Sequence, residues 1–369
     1  MILTSLRLKN FRCHKEVLLN FSENLNYIVG GNGLGKTAIL ESIYFLCTTK
    51  SQITSSDKEV VNFGEIGFEV YGSFSNQVTD EVSVVFTSET NKKNYYQNQK
   101  LKHRLSDIIG NFPIVILTPA DHQITMGYSA DRRKFIDSIY CQASRTYFKL
   151  LLDYNRTVKQ RAALLNGMKE NKFNKANELD AWTEKLIESG SELICYRKKF
   201  FSELETYVKQ AYFEILNDRE TPSLKYFYLS GYEGDNIKKH FTDLIEKFKN
   251  EELRRGTCLV GPHKDDFVFE INNINLRTFG SQGQHKTFQV ALRFAEFFYL
   301  KEKTGKTPIF LLDDVFGELD TKRAVRISEN LRKVGQTFIT LTDFTNLSYL
   351  QRQNSDVVIK LDKSGITYA

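Results

Sequence analysis

Gly30-Gly31-Asn32-Gly33-Leu34-Gly35-Lys36-Thr37 is the stretch on which the reading of this chain turns. It fits G-x-x-x-x-G-K-[ST]. Glycines at this spacing let successive backbone N–H groups turn inward around phosphate oxygens. Lys36 neutralises the outer phosphates, and Thr37 offers a hydroxyl to Mg²⁺. The flanks agree with this. The apolar run Tyr27-Ile28-Val29 predicts a buried strand leading into the loop. Ile39, Leu40, Ile43 and Tyr44 then fall on one face of a helix, which aims its positive N-terminus at the anion. The plain alternative is a glycine turn beside a stray lysine.

Two further stretches bear on that alternative. Ile309-Phe310-Leu311-Leu312-Asp313-Asp314 reads as a buried strand ending in acids, the Walker B pattern. Asp313 is expected to hold Mg²⁺ with Thr37, and Asp314 to polarise the attacking water, which makes Asp314 and Lys36 the expected catalytic groups. Alone, the pattern also fits a strand followed by a helix-capping aspartate. Ser281-Gln282-Gly283-Gln284 opens an amphipathic helix carrying Phe288, Ala291, Leu292, Ala295 and Phe298 on one side. A helix start with an exposed serine and glycine is an anion site, or else an ordinary cap. A single chain cannot easily bring two distant helix N-termini to one γ-phosphate, whereas two copies facing head to tail can. The nucleotide site is therefore expected to combine Gly30 to Thr37 of one copy with Ser281, Gly283 and Gln284 of another.

Outward from these motifs, residues 1–29 and 65–118 read as strands, the latter at Phe68–Tyr71, Val82–Phe86 and Ile114–Leu117. Helical spacing runs from Phe135 to Tyr154 and again from Trp182 to Ala211, with a turn expected across Asn166–Asn177. Strands return near Cys258–Val260, Ile309–Leu312, Thr337–Leu341 and Val357–Leu361. The expected fold class is α/β, a head with a mixed sheet plus a mainly helical inserted lobe. The head would comprise 1–119 and 256–369, and the lobe 120–255 with a short antiparallel helical arm. The chain has 369 residues, 41% of them hydrophobic, so a sizeable core is available. Its five cysteines form no C-x-x-C pair, which speaks against a disulfide framework or a zinc site. No run of about 18 apolar residues occurs, so a cytoplasmic protein with no membrane association is expected.

The net charge of +6 permits an acidic partner without requiring one. Arg132, Arg133, Lys134, Arg145, Lys149, Arg156, Lys159 and Arg161 crowd the first inserted helix, and Arg197-Lys198-Lys199 lies on the second. Such a cluster reads either as a solvated face or as a phosphate-contacting surface giving sequence-independent, salt-dependent binding.

The order of the three motifs is that of the ABC ATPases, and Gly317-Glu318-Leu319-Asp320 stands at the D-loop position. Leu6-Arg7-Leu8-Lys9-Asn10-Phe11-Arg12, Leu40-Glu41-Ser42-Ile43, Tyr154-Asn155-Arg156, Lys159-Gln160-Arg161, Gly261-Pro262-His263-Lys264-Asp265-Asp266 and Phe279-Gly280-Ser281-Gln282-Gly283-Gln284 extend the match over nearly the whole chain. In these stretches the sequence resembles the RecF family, bacterial ATPases related to SMC proteins. The resemblance implies an ABC/SMC-type ATPase head with ATP and Mg²⁺ as cofactors. It implies a homodimer that forms on ATP binding and clamps DNA near duplex and single-strand junctions, with Arg132, Arg133, Lys149, Arg156 and Lys159 as candidate contacts. It further implies slow, DNA-stimulated hydrolysis and a role in gap repair, replication restart and SOS induction, with RecR as partner and, indirectly, RecO and RecA.

Two positions depart from ABC transporters. Asp314 stands where they usually carry Glu, and Thr340-Leu341-Thr342-Asp343 replaces the switch histidine. With the inserted helical hairpin, these differences favour the family reading over a transporter's nucleotide-binding subunit. Pro119-Ala120-Asp121 departs from the family's own Pro-Glu-Asp and leaves Asp121 or Gln123 for the Q-loop role. A non-hydrolysing SMC-like scaffold is the remaining alternative.

Overall fold

The computed structural model describes residues 1–76, 78–170, 175–216, 220–316, 321–343, 353–362 and 365–368. The chain forms two compact units. One comprises Met1–Asp121, Ala211–Asn217 and Val290–Ala369, and the other His122–Gln210 and Asp218–Gln289. The sequence-based division placed 256–289 in the head; that segment belongs to the second unit.

The first unit holds two sheets. Strands β1 (Ile2–Phe11), β2 (His14–Asn20), β4 (Gly67–Ser75), β5 (Thr79–Thr87), β6 (Lys92–Gln97) and β7 (Lys100–Lys102) make an antiparallel sheet in the order β2-β1-β4-β5-β6-β7. β4 alternates strictly between partly exposed and buried residues, as expected of a sheet with one covered face. The second sheet contains β3 (Leu25–Gly30), β8 (Ile114–Leu117), β12 (Ile309–Leu312), β13 (Thr337–Leu341), β14 (Val357–Asp362) and β15 (Gly365–Tyr368), ordered β15-β14-β3-β13-β12-β8. All its pairings are parallel except β14 with β15. β8, β12 and β13 are buried along their whole length, which explains the unbroken apolar sequences of β8 and β12; β13 buries two threonines, Thr337 and Thr340, among its apolar residues.

Helix α1 (Lys36–Thr48) shares one core with both sheets, through residues such as Ile39, Ile43, Phe45, Leu6, Val70 and Leu311. Gln336 joins the sheets by polar contact. Its buried amide donates to the Leu3 and Ser22 carbonyls at 2.7 and 2.8 Å and accepts from the Leu3 N–H at 2.7 Å. Helix α9 (Thr321–Leu331) completes the described helices lying wholly within this unit.

The second unit contains α2 (His122–Met126), α3 (Ser129–Ala143), α4 (Arg145–Lys169), α6 (Ile237–Arg255) and α7 (Leu276–Phe279), with a small sheet of β9 (Pro222–Phe227), β10 (Asp266–Ile271) and β11 (Ile274–Asn275). Helices α5 (Ala176–Leu216) and α8 (Gln282–Thr304) each run from this unit into the first.

The helical pattern from Phe135 to Tyr154 is two helices. Ser144 has an extended backbone and its side chain accepts from the Tyr147 N–H, so it ends α3 and caps α4. Cys258–Val260 is not a strand; it follows α6 as irregular chain, and β10 supplies the nearby strand. Of the turn expected across Asn166–Asn177, Asn166 and Gly167 lie within α4 and Asn177 within α5, while 171–174 lie outside the described residues.

Asp121 does not serve as a free polar group after β8. It is 5% exposed and accepts from the Arg293 guanidinium at 2.6 and 2.9 Å. Arg293 also donates to Glu296 at 2.7 Å. Burial pushes the Glu296 carboxyl up to about 7, against the pull of Arg293, and the charge of Asp121 adds to the rise. The fold thus holds the Glu296 proton more tightly than an unfolded chain with its carboxyl near 4.5. The stability this contributes is complete below that value and lost as pH rises to about 7. Glu296→Gln cannot ionise, so its melting temperature relative to wild type is expected to rise between about pH 5 and pH 8, as scanning calorimetry at the two pH values would show.

Candidate nucleotide-binding site

The loop Gly30 to Thr37 joins the end of β3 to the start of α1. Gly35 stands at the helix N-cap with φ 89°, a left-handed conformation that disfavours side chains. A Cβ there would collide with the His14 ring and the Cys13 sulfur. His14 is held against the loop by a 3.1 Å hydrogen bond between Nε2 and the Gly35 carbonyl. A Cβ on Gly30 would meet the Leu361 carbonyl at 2.5 Å, so the neighbouring strand β14 fixes the loop from its other side. The Lys36 ammonium donates to the carbonyls of Gly30 and Gly31 at 2.6 and 2.9 Å. It pairs with no carboxylate among the described residues. Burial lowers its pKa, opposed by the charges of Asp314 and Asp313. A partly desolvated cation without an ion pair is a natural partner for an incoming anion.

The two acids arrive from the other end of the chain. β13 lies between β3 and β12, so the loop strand and the acid-bearing strand flank a common neighbour. Thr37 Oγ1 donates to Asp313 Oδ1 at 3.0 Å. Thr340, on β13, donates to the same oxygen at 2.8 Å and accepts from the Asp314 N–H at 2.8 Å. Burial raises the Asp313 pKa, while the hydroxyls of Thr340 and Thr37 pull it down. Asp314 is exposed, with a positive φ of 50°. A hydroxyl and a carboxylate set side by side are hard oxygen donors, and this donor set fits Mg²⁺. The sequence reading picked out Lys36, Thr37, Asp313 and Asp314, which the fold brings together. It missed His14 and gave Thr340 no role.

Ser281 to Gln284 lie in the second unit. Ser281 Oγ accepts from the Gln284 N–H at 3.2 Å, and Gln284 Oε1 accepts from the Ser281 N–H at 2.8 Å. This is a capping box. The Gln284 amide also donates to Glu220 at 2.7 Å. The cap accounts for the serine and the second glutamine. It does not require Gly283, nor the exposure of Ser281. Of the Q-loop candidates, Asp121 is committed to Arg293, and Gln123 is exposed at the start of α2. The D-loop stretch Gly317–Asp320 lies outside the described residues.

The basic residues divide into two groups. Arg132 is 3% exposed and holds Asp266 by two bonds of 2.8 and 2.9 Å, and Arg133 donates to the Asp265 carbonyl. Arg161 is buried against Glu252 at 2.6 Å. Arg197, also buried, grips Asp137 and donates to the Pro262 carbonyl at 2.8 Å. The stretch Gly261–Asp266 thus supplies acceptors to Arg132, Arg133 and Arg197, and a 2.7 Å bond between the Tyr154 hydroxyl and His263 Nδ1 ties it to α4. Burial drives the His263 pKa down to about 4, so the imidazole is neutral at neutral pH. Arg132 is therefore internal and not a surface contact, whereas Arg133 is half-buried with one N–H committed to the Asp265 carbonyl. Lys149, Arg156 and Lys159 are exposed on α4. Their spacing keeps them near one helix face. Arg132→Ala leaves Asp266 without its partner and is expected to cost on the order of 3 kcal/mol in urea unfolding, whereas Lys149→Ala is expected to leave the midpoint unchanged.

Comparison with known proteins agrees with this arrangement. The family described as RecF/RecN/SMC N terminal domain matches residues 2–363. A protein of Chloroherpeton thalassium named DNA replication and repair protein RecF is 38% identical over 352 residues, covering 93% of this chain and 95% of its own. The protein of that name from Salinibacter ruber is 36% identical, with 93% and 85% covered. Among solved structures, that of the recombination mediator protein RecF-ATP in the RecFOR pathway matches with a TM-score of 0.90 at 29% identity, covering 100% of this chain and 97% of the other. The Smc head domain of Pyrococcus furiosus matches at 0.57 and 16% identity, which shows a common fold. The chain belongs to the RecF/RecN/SMC family, within its RecF branch.

Proposed function

We propose that the protein is an ATPase of DNA replication and repair that binds ATP and Mg²⁺, closes as a homodimer on the nucleotide, and holds DNA while closed. The observation that carries this reading is the junction of Lys36, Thr37 and Asp313 beside a glycine loop shaped by Gly35, since each group supplies a different part of triphosphate recognition. The relatives named DNA replication and repair protein RecF, and the related structure with ATP, supply the substrate class and the process.

In this reading the loop amides and Lys36 bind and orient the phosphates. Thr37 and Asp313 hold the magnesium ion, which supplies charge neutralisation at the phosphates. Asp314 positions the attacking water as general base. Its short side chain reaches less far than a glutamate, which favours slow turnover and a long-lived closed state. Ser281 and the Gly283 amide, at the start of an exposed helix N-terminus, complete the site of a second copy. Lys149, Arg156 and Lys159 contact DNA phosphates without reading sequence. Closure near duplex and single-strand junctions, stimulation of hydrolysis by DNA, cooperation with RecR and indirectly RecO in loading RecA, and the resulting SOS induction belong to the same proposal.

Two outcomes are expected. With ATP and Mg²⁺, light scattering should show a dimer for the wild type and a monomer for Lys36→Ala and Ser281→Arg; variants as dimeric as wild type would refute the shared site. Replacing Lys149, Arg156 and Lys159 together by alanine is expected to weaken binding to duplexes of any sequence. The slope of log affinity against log salt should fall by roughly 2–3.

A further inference from the structure

Thr340 occupies the strand end where a transporter would lead toward its switch histidine, yet its side chain does not face solvent. It is fully buried on β13, between the strand that leads into the glycine loop and the strand that carries the acids. Its single hydroxyl makes two short contacts. The hydrogen is directed to Asp313 Oδ1 at 2.8 Å, in preference to the Leu312 carbonyl at 3.5 Å. The oxygen accepts from the Asp314 N–H at 2.8 Å.

These contacts have different consequences. Asp313 Oδ1 receives both the Thr37 and the Thr340 hydroxyls. Its Oδ2 is left with no hydrogen-bond donor among the described residues. An acid fixed through one oxygen keeps the other free of competing donors. Asp314, meanwhile, sits at φ 50°, a conformation that costs a non-glycine residue energy unless its surroundings fix it. The hydrogen bond to its N–H is such a restraint, and that turn exposes its carboxylate.

We propose that Thr340 is a positioning residue for the magnesium–nucleotide site: its hydroxyl sets the orientation of Asp313 toward the metal and the backbone turn that presents Asp314. The proposal rests on the reading of Lys36, Thr37 and Asp313 as that site. It assigns to one threonine the coordination of two acids with different tasks. Such a residue acts on metal-dependent binding and on turnover, and leaves metal-free contact between loop and phosphates alone.

The test compares Thr340→Ser with Thr340→Ala. Both lose the methyl group, and only the second loses the hydroxyl. Affinity for a fluorescent ATP analogue is measured in EDTA and in Mg²⁺, Mn²⁺ bound with ADP is followed by electron paramagnetic resonance, and single-turnover hydrolysis is timed. Thr340→Ala is expected to lose roughly tenfold of the affinity gained on adding Mg²⁺, to alter the Mn²⁺ spectrum and to slow turnover, with affinity in EDTA unchanged. Thr340→Ser is expected to keep all of these near wild type. An alanine variant that retains the Mg²⁺-dependent gain overturns the proposal. So does a serine variant that fails as the alanine does, because packing of the methyl would then be the cause. Lys36→Ala serves as control in EDTA: affinity equal to wild type there would overturn the site reading itself, a result separable from either outcome at Thr340.

Discussion

A hydrogen bond of 3.0 Å between Thr37 and Asp313 joins residues 276 positions apart, and most of the architecture is needed to make it. The loop and the acids are useful only side by side, yet they lie near opposite ends of the chain. The parallel sheet solves this by strand order. β3 and β12 both pair with β13, so their C-terminal ends emerge on the same edge. Parallel strands require crossover connections, and here the connection has grown to hold an entire second unit. Strands β12 and β13 are fully buried because the sheet is covered, and that burial dries the base of the site. Dryness raises the Asp313 pKa and lowers that of Lys36, so each group gains from a counter-charge or a metal.

Hydroxyl groups hold this site before any ligand arrives. Thr37 and Thr340 are β-branched, with few side-chain rotamers, and are therefore well suited to fixing a carboxylate. They offer hydrogen bonds without charge. A lysine or arginine in their place would neutralise Asp313 and compete with the cation that the acid is to bind. The paired arginines are kept elsewhere. Arg293 serves Asp121 and Glu296 midway along α8, and Arg12 grips Glu41 of α1 at 2.7 and 2.6 Å, tying the phosphate-loop helix to the end of β1.

The second unit shows how one residue type serves two ends. Arg132, Arg161 and Arg197 are internal, each matched to a carboxylate, and Tyr154 and His263 join Arg132 and Arg197 around Gly261–Asp266. Lys149, Arg156 and Lys159 face outward. Arginine suits the internal role because its planar fork bonds carboxylates bidentately, as Arg132 does with Asp266. In sequence the two groups interleave at similar spacing. Helical periodicity alone therefore overstated the positive surface.

The sequence by itself determined the glycine loop, the strand and helix around it, the acid-ended strand and the capped start of α8, because local chemistry dictates each of these. Backbone N–H groups cannot cradle phosphate without glycines, and a fully apolar run of four residues needs burial on both faces. Sequence did not separate the α3–α4 break at Ser144 from a continuous helix, since one cap inside a periodic pattern is a weak signal. Nor did it place the 256–289 segment, because membership of a compact unit is a property of long-range contacts. Only the tertiary structure decided that Arg132 is internal, that Asp121 is spent on Arg293, and that Thr340 reaches both acids. Charge and hydroxyl groups carry no mark of their partners in sequence; distance and burial assign them, and those exist only once the strands are ordered.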